Sequence, residues 1–393
     1  MATPSTQRTG DAPVTRITHL GLGNWRNFPR VDVGLARRTF LVGPNASGKS
    51  NFLDAIRFLH DLAAVGGGFE DAIGRRGGVS ALRSLAARRY PDVSLHIALG
   101  TEADERAWEY EVSFAQDNRQ RPYLKKETVR EHGQTRLDRP DSEDKADPAR
   151  LSQTFLEQVN VNREFRVVAD FLRTVRYLHI VPQLVREPER SVGKTNDPYG
   201  GDFIEQIART PERTRNARLR QILQALTIAV PQLEKLELDQ DIRGAHHLRG
   251  KYVHWRPQGA WQSEADFSDG TLRLLGLLWA LLERGGPLLL EEPELSLHPG
   301  VVRYVPQMLA RMQSRAGRQV LVSTHSPELL QDDGIGLHEV LLLLPEDEGT
   351  TVTPASSISE VSSLLDGGLS IADIVVPRTR PSRAEQLSFF PGE

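Results

Sequence analysis

The 393-residue sequence contains no cysteine, which removes disulfides, thiolate chemistry and cysteine-ligated zinc together. Nor does it hold a long apolar run: the longest, Leu274–Leu282, is too short to span a bilayer. Met1–Ala12 is polar and lacks the apolar core of a signal peptide. Net charge is -3 and the pI about 6.4, so there is no global basic footprint, and any nucleic-acid surface must be a local patch. No heptad pattern persists, which argues against a long coiled coil. These absences predict a soluble, cytoplasmic chain with no membrane segment. Its length suits roughly two or three ordinary domains, or one composite domain with insertions.

What is present is organised around Gly43-Pro44-Asn45-Ala46-Ser47-Gly48-Lys49-Ser50. This is a G-x-x-x-x-G-K-[ST] loop between a short apolar strand, Thr39–Val42, and an amphipathic helix, Asn51–Leu59. Strand, glycine loop and helix in that order are the context a phosphate-binding loop requires. Gly43 and Gly48 permit backbone angles that a side chain forbids, and the N–H groups then point at phosphates at the positive end of the helix dipole. Lys49 adds a point charge, and the Ser50 hydroxyl is placed to ligate Mg²⁺.

Along the chain, residues 1–13 read as a disordered leader. Val14–Leu22 and Val31–Val42 read as two extended stretches joined by Asn24-Trp25-Arg26-Asn27-Phe28, an antiparallel hairpin ahead of the loop. Trp25 and Phe28 are expected in the core. The other reading has an adenine stacking on one of them or meeting Arg26. Val93–Leu99, Trp108–Phe114 and Leu124–Val129 read as strands of a small sheet, and the charged stretch Gly133–Arg150 as a solvated loop. Leu151–Val175 and Arg213–Ala229 have helical periodicity. Leu233–Leu238 and Tyr252–Trp255 read as strands, and 376–393 as a mobile tail.

A second group of polar residues begins at Phe267. Ser268 and Gly270 open a helix, Leu272–Glu283, and offer a hydroxyl and backbone N–H groups at a positive dipole end. Beside a complete phosphate loop this is redundant within one chain, so it is expected to serve the nucleotide of a partner subunit; an ordinary helix cap is the plainer reading. Pro287–Leu290 is an apolar strand ending in Glu291 and Glu292, at the sheet edge where open α/β folds bind ligands. Glu291 is assigned to the Mg²⁺ shell and Glu292 to polarising the attacking water. A turn, Glu294–Pro299, leads into a helix, Val301–Gln313. Gln319–Ser326 is another buried strand, and His325 at its end is placed to sense a γ-phosphate.

This set, in this order, resembles the ABC-type ATPases of the SMC and RecF kind, and looks most like the stand-alone RecF-like AAA ATPases related to the ATPase half of OLD nucleases. The residues that carry the resemblance are Asn24–Phe28, Gly43–Asn51, Phe267–Arg273 as signature, Leu288–Glu292 as Walker B, Glu294–Pro299 as D-loop and Ser323–Pro327 as the switch-histidine segment. It implies an α/β fold: an ABC-type P-loop ATPase head with an N-terminal antiparallel β-lobe and an inserted helical lobe. The composite domain would span 14–350 with the inserted lobes in 64–259, and 351–375 would form a C-terminal helical region. It implies ATP and Mg²⁺ as cofactors, Asn51 among the nucleotide contacts, and Gln183, after Arg176–Pro182, as a Mg²⁺ and water contact. Asp269 stands where transporters carry glycine, and Glu291 where Asp is usual.

The activity the resemblance implies is an ATP-hydrolysing switch that forms an ATP-dependent homodimer. It would control DNA, or a separate nuclease or toxin effector, in DNA repair or anti-phage defence. Too little chain follows His325 for a nuclease domain of its own. The alternatives are the nucleotide-binding subunit of a membrane transporter and a non-hydrolysing ATP-gated interaction protein; intact Glu292 argues against the latter. Gln386–Phe390 resembles the peptide by which bacterial replication and repair proteins dock on the sliding clamp.

Overall fold

The computed structural model describes residues 15–87, 92–187, 197–254 and 260–379. The leader at 1–13, Trp255 and the Gln386–Phe390 peptide lie outside them. The chain divides into two compact units, residues 1–35 with 58–174, and residues 36–57 with 175–393.

In chain order, β1 (Arg16–Trp25) and β2 (Phe28–Gly34) form the expected antiparallel hairpin, with Trp25 opposite Phe28. Next comes β3 (Arg38–Val42). Val31–Val42 is therefore not one extended stretch. Thr39 Oγ1 accepts the N–H of Ala36 and donates to its carbonyl, a local turn that competes with continuing the strand. Then β4 (Val93–Gly100), β5 (Trp108–Gln116), β6 (Pro122–Glu131) and β7 (Gln134–Arg139) extend the hairpin into a six-stranded antiparallel sheet, in the order β2-β1-β4-β5-β6-β7. Trp25 and Phe28 are fully buried. The Trp25 ring lies 5.3 Å from Phe58, which in turn lies 5.6 Å from Phe114, the aromatic core of the first unit.

Within the same unit, the stretch read as a solvated loop is instead ordered around a buried charge cluster. Arg139 ends β7 with no exposed side-chain surface, paired with Glu127 at 2.9 Å and Asp144 at 2.9 Å. Its guanidinium lies 3.7 Å from the Phe155 ring centre. Glu127 also accepts the backbone N–H groups of Phe155 and Leu156. Leu151–Val175 is α-helical only over Arg166–Arg173, preceded by single 3-10 turns at Pro148–Ser152 and Arg163–Phe165, and the two amides given to Glu127 fall in the non-helical part. An amide taken by a carboxylate is lost to a helix.

In the second unit, β8 (Arg176–Leu178) precedes β9 (Leu233–Gln240), β10 (His246–Tyr252) and β11 (Ala260–Ser263), a small antiparallel sheet in the order β11-β10-β9. Tyr252 thus ends a strand rather than starting one. After them come β12 (Leu288–Glu291), β13 (Val320–Thr324), β14 (Val340–Glu346) and β15 (Gly349–Pro354). The main sheet runs β15-β14-β3-β13-β12-β8, parallel except at the β15 edge. The strands β3, β12 and β13 are buried almost throughout, each around an apolar stretch of three residues, as a sheet covered on both faces demands. The helix expected at Val301–Gln313 is two, Pro299–Val302 and Val305–Ala316. Pro306 has no N–H to continue a helix from the preceding turn and sits instead at the start of the second. Val376–Thr379 close the helix Ile371–Thr379.

Candidate nucleotide-binding site

Register places the site. Val42 of β3 pairs with Thr324 of β13, and Ser323 of β13 pairs with Glu291 of β12. Three adjacent parallel strands therefore end together, and the loop after each opens on the same sheet edge.

From β3 the chain enters Gly43–Ser50. A Cβ on Gly43 would stand 2.5 Å from the Leu343 carbonyl oxygen and 2.5 Å from Ser47 Oγ, so only glycine allows that approach. Ala46 and Gly48 take φ of 63° and 91°, the left-handed angles that turn the amides inward. The helix Lys49–Ala63 then begins, with Phe52, Leu53 and Ile56 buried. Lys49 folds back over the loop, its Nζ donating to the Gly43 carbonyl at 2.9 Å and the Pro44 carbonyl at 3.0 Å. Burial lowers its ammonium pKa, while Glu292, Glu294 and Glu291 work in the opposite direction. A buried cation resting on two backbone carbonyls, next to inward amides, is a cradle for a polyanion.

Ser50 Oγ donates to the Glu291 carboxylate, and Tyr177 Oη donates to its other oxygen. His179 Nδ1 lies 3.2 Å from the Glu291 carbonyl. Burial raises the Glu291 pKa; the Ser50 hydrogen bond pulls the other way. The neighbouring Glu292 takes φ of 43°, unusual for a side chain with a Cβ. Its N–H is fixed by the Ser323 carbonyl at 3.0 Å, and its Oε1 lies 3.2 Å from His325 Nδ1. Lys49, Ser50, Glu291, Glu292 and His325 thus meet in one place.

Ser50 and one carboxylate are hard oxygen donors, and among the described residues no three His, Cys, Asp or Glu side chains form a metal cage. That donor set fits Mg²⁺, which keeps its waters and substrate phosphates and takes only one or two protein oxygens. Ser50 and Glu291 would hold it. Gln183 is exposed on the short helix Pro182–Arg186, and its side chain makes no hydrogen bond among the described residues. The residues that reach Glu291 from this segment are Tyr177 and His179, which sequence reasoning missed. Nothing in the local sequence marks them: Tyr177 lies in β8 and His179 just after it, and both meet Glu291 because β8 pairs with β12, Leu178 beside Leu290.

Ser268 caps the helix Asp269–Leu282, accepting the Thr271 N–H at 3.2 Å. A Cβ on Gly270 would lie 2.5 Å from the Ser296 carbonyl oxygen. No hydrogen bond joins Ser268 to the Gly43–Ser50 loop among the described residues.

Comparison with known proteins agrees with this geometry. An Smc head bound to the C-winged helix domain of ScpA superposes with a TM-score of 0.52 at 14% identity, over 86% of this chain and 97% of that one. A Pyrococcus furiosus Smc head with an extended coiled coil gives 0.51 at 12% identity, over 89% and 99%. The fold is that of an ABC-type ATPase head. By sequence, a stretch of 93 residues is 33% identical to the DNA replication and repair protein RecF of Clavibacter sepedonicus, covering 23% of each chain. Another, of 84 residues, is 34% identical to the OLD nuclease of Thermus scotoductus, covering 21% of this chain and 15% of that one. The matched stretches span less than a quarter of these relatives' length. Residues 38–331, well over half of the chain, match the family described as "AAA domain, putative AbiEii toxin, Type IV TA system", and the chain belongs to it.

Proposed function

We infer that the protein is an ATP-hydrolysing switch whose two copies close head to tail on ATP and whose state is passed to DNA or to a separate effector. The observation that carries this is the convergence of Glu292 and His325 on the Lys49–Ser50 loop. An incoming triphosphate takes the loop amides and draws Lys49 from the Gly43 and Pro44 carbonyls. Mg²⁺ held by Ser50 and Glu291 supplies charge neutralisation of the phosphates. Glu292 accepts the proton of a water whose oxygen bonds the γ-phosphorus, while the bridging bond to the β-phosphate breaks and ADP leaves with its electron pair. His325, oriented by Glu292, faces the γ-phosphate and registers its loss. Ser268 and Gly270, with no hydrogen bond to the loop of their own chain among the described residues, serve the nucleotide of the partner copy. The RecF and OLD names of the sequence relatives support a DNA-repair or nuclease-linked setting, with a separate nuclease or toxin as effector.

The test is turnover with Mg²⁺ and ATP. Glu292→Gln should keep ATP binding and lose turnover by about 10²-fold or more, the scale of general-base catalysis; Lys49→Ala should lose binding. Turnover in Glu292→Gln equal to wild type overturns the assignment.

A further inference from the structure

Two buried carboxylates of this protein differ in how completely they are used. In the first unit, Glu127 has both oxygens filled, Oε1 by Tyr110 Oη and Leu156 N, and Oε2 by Arg139 and Phe155 N. That is a carboxylate with a structural role. In the second unit, Glu294 is 7% exposed. Thr324 Oγ1 donates to its Oε1, but its Oε2 is buried with no hydrogen-bond partner among the described residues. A half-satisfied buried carboxylate costs stability, so packing alone does not account for an acid here.

Its surroundings give it a task. Glu294 lies in the turn after β12, which is held by Leu295 N to the Glu292 carbonyl at 3.2 Å and Leu297 N to its own carbonyl at 3.0 Å. Thr324 is the last residue of β13, and the same Oγ1 that donates to Glu294 accepts the Ser326 N–H at 3.0 Å. Ser326 Oγ in turn caps the next helix, accepting Leu329 N at 3.2 Å. One hydroxyl therefore ties the residues on both sides of His325 to Glu294. Among the described residues the His325 ring is anchored at Nδ1 alone, 3.2 Å from Glu292, with 45% of its side chain exposed. An imidazole that exposed keeps one orientation only if its backbone is held.

We propose that Glu294 is a positioning residue: through the Thr324 hydroxyl it fixes the turn that carries His325, and so keeps the imidazole against Glu292. The hydroxyl is the working part of threonine here, and the methyl is not.

Thr324→Ser keeps the hydroxyl and Thr324→Val keeps the shape without it. Because Thr324→Val strands Glu294, a Glu294→Leu, Thr324→Val double variant replaces both partners with apolar groups, the exchange a fold tolerates best. The first readout needs no nucleotide: the ¹⁵N imidazole resonance of His325, identified by its loss in His325→Gln. It should be unchanged in Thr324→Ser and shifted or broadened in both hydroxyl-free variants. The second rests on the hydrolytic reading above. Turnover should fall on the order of 10²-fold in the hydroxyl-free variants, the usual cost of a misplaced group, and Thr324→Ser should restore it. The KM for ATP should stay within roughly twofold, since an interaction made only in the transition state is what the variants lose. A His325 resonance unmoved in both hydroxyl-free variants overturns the proposal. A wild type that turns over no ATP overturns only the hydrolytic reading, because the resonance still decides the role of Glu294.

Discussion

Arg186 Nη2 holds an Asp269 carboxylate oxygen at 2.6 Å and the Phe267 carbonyl at 2.6 Å, so one guanidinium nitrogen clamps both sides of Ser268. This gives a reason for the acid where transporters carry glycine. Under the proposed role of Ser268, a bare carboxylate one residue later would repel the partner's phosphate, and Arg186 offsets its charge while the helix start favours it. In a turnover-deficient Glu292→Gln background, Arg186→Ala should weaken the ATP-driven dimer on the order of tenfold, equivalent to about 1.4 kcal/mol. The exchange Arg186→Asp, Asp269→Arg should recover part of the loss. Sedimentation across a concentration series measures this. A dimer constant unchanged in Arg186→Ala would show that the clamp does nothing for assembly.

The proposed head-to-tail arrangement makes a sharper demand on Ser268 and Gly270. In the Glu292→Gln background, ATP should double the sedimenting mass. Ser268→Arg should hold the protein monomeric, because the added side chain occupies the place of the partner's γ-phosphate. Gly270→Ala should act the same way for a different reason: its methyl meets the Ser296 carbonyl at 2.5 Å and pushes the turn out of shape. Neither change should weaken ATP binding by the chain that bears it, since among the described residues no hydrogen bond joins Ser268 to its own phosphate loop. Loss of ATP binding in Ser268→Arg monomers would count against a site shared between copies.

How far the sequence was readable depends on where each requirement is written. The phosphate loop is legible because its geometric demands fall at fixed spacings; Gly43, Gly48 and Lys49 can be named without a fold. Glu291 and Glu292 are legible as the end of an apolar strand. Tyr177 and His179 are not, because their contact with Glu291 exists only once β8 lies parallel to β12 with Leu178 against Leu290. The clamp of Arg186 on Asp269 spans 83 residues of sequence and leaves no local trace. Gly133–Arg150 misleads outright. Its charges read as solvated, yet Arg139 is buried because Glu127, on a neighbouring strand, and Asp144, a turn away, satisfy it.

That buried cluster makes the last prediction. Removing the cation strands two buried carboxylates, so Arg139→Met should cost about 3–5 kcal/mol, lowering the melting temperature on the order of 10 °C. The two acids should then separate by pH. The Arg139 hydrogen bond holds the Asp144 carboxyl at a pKa of about 2, below the ordinary value of about 3.9. A depressed carboxyl favours folding above its unfolded pKa, and that contribution fades as pH falls from about 4 to about 2. The melting-temperature advantage of wild type over Asp144→Asn should therefore shrink across that window. Burial pushes Glu127 the other way, above its ordinary value. A raised carboxyl opposes folding while it is ionised, and acid relieves the cost. The advantage of wild type over Glu127→Gln should therefore grow as pH falls toward the ordinary glutamate value of about 4.3. Melting curves of the three proteins over this range measure both slopes. Parallel slopes for the two variants would mean that Arg139 and burial do not divide the pair as described.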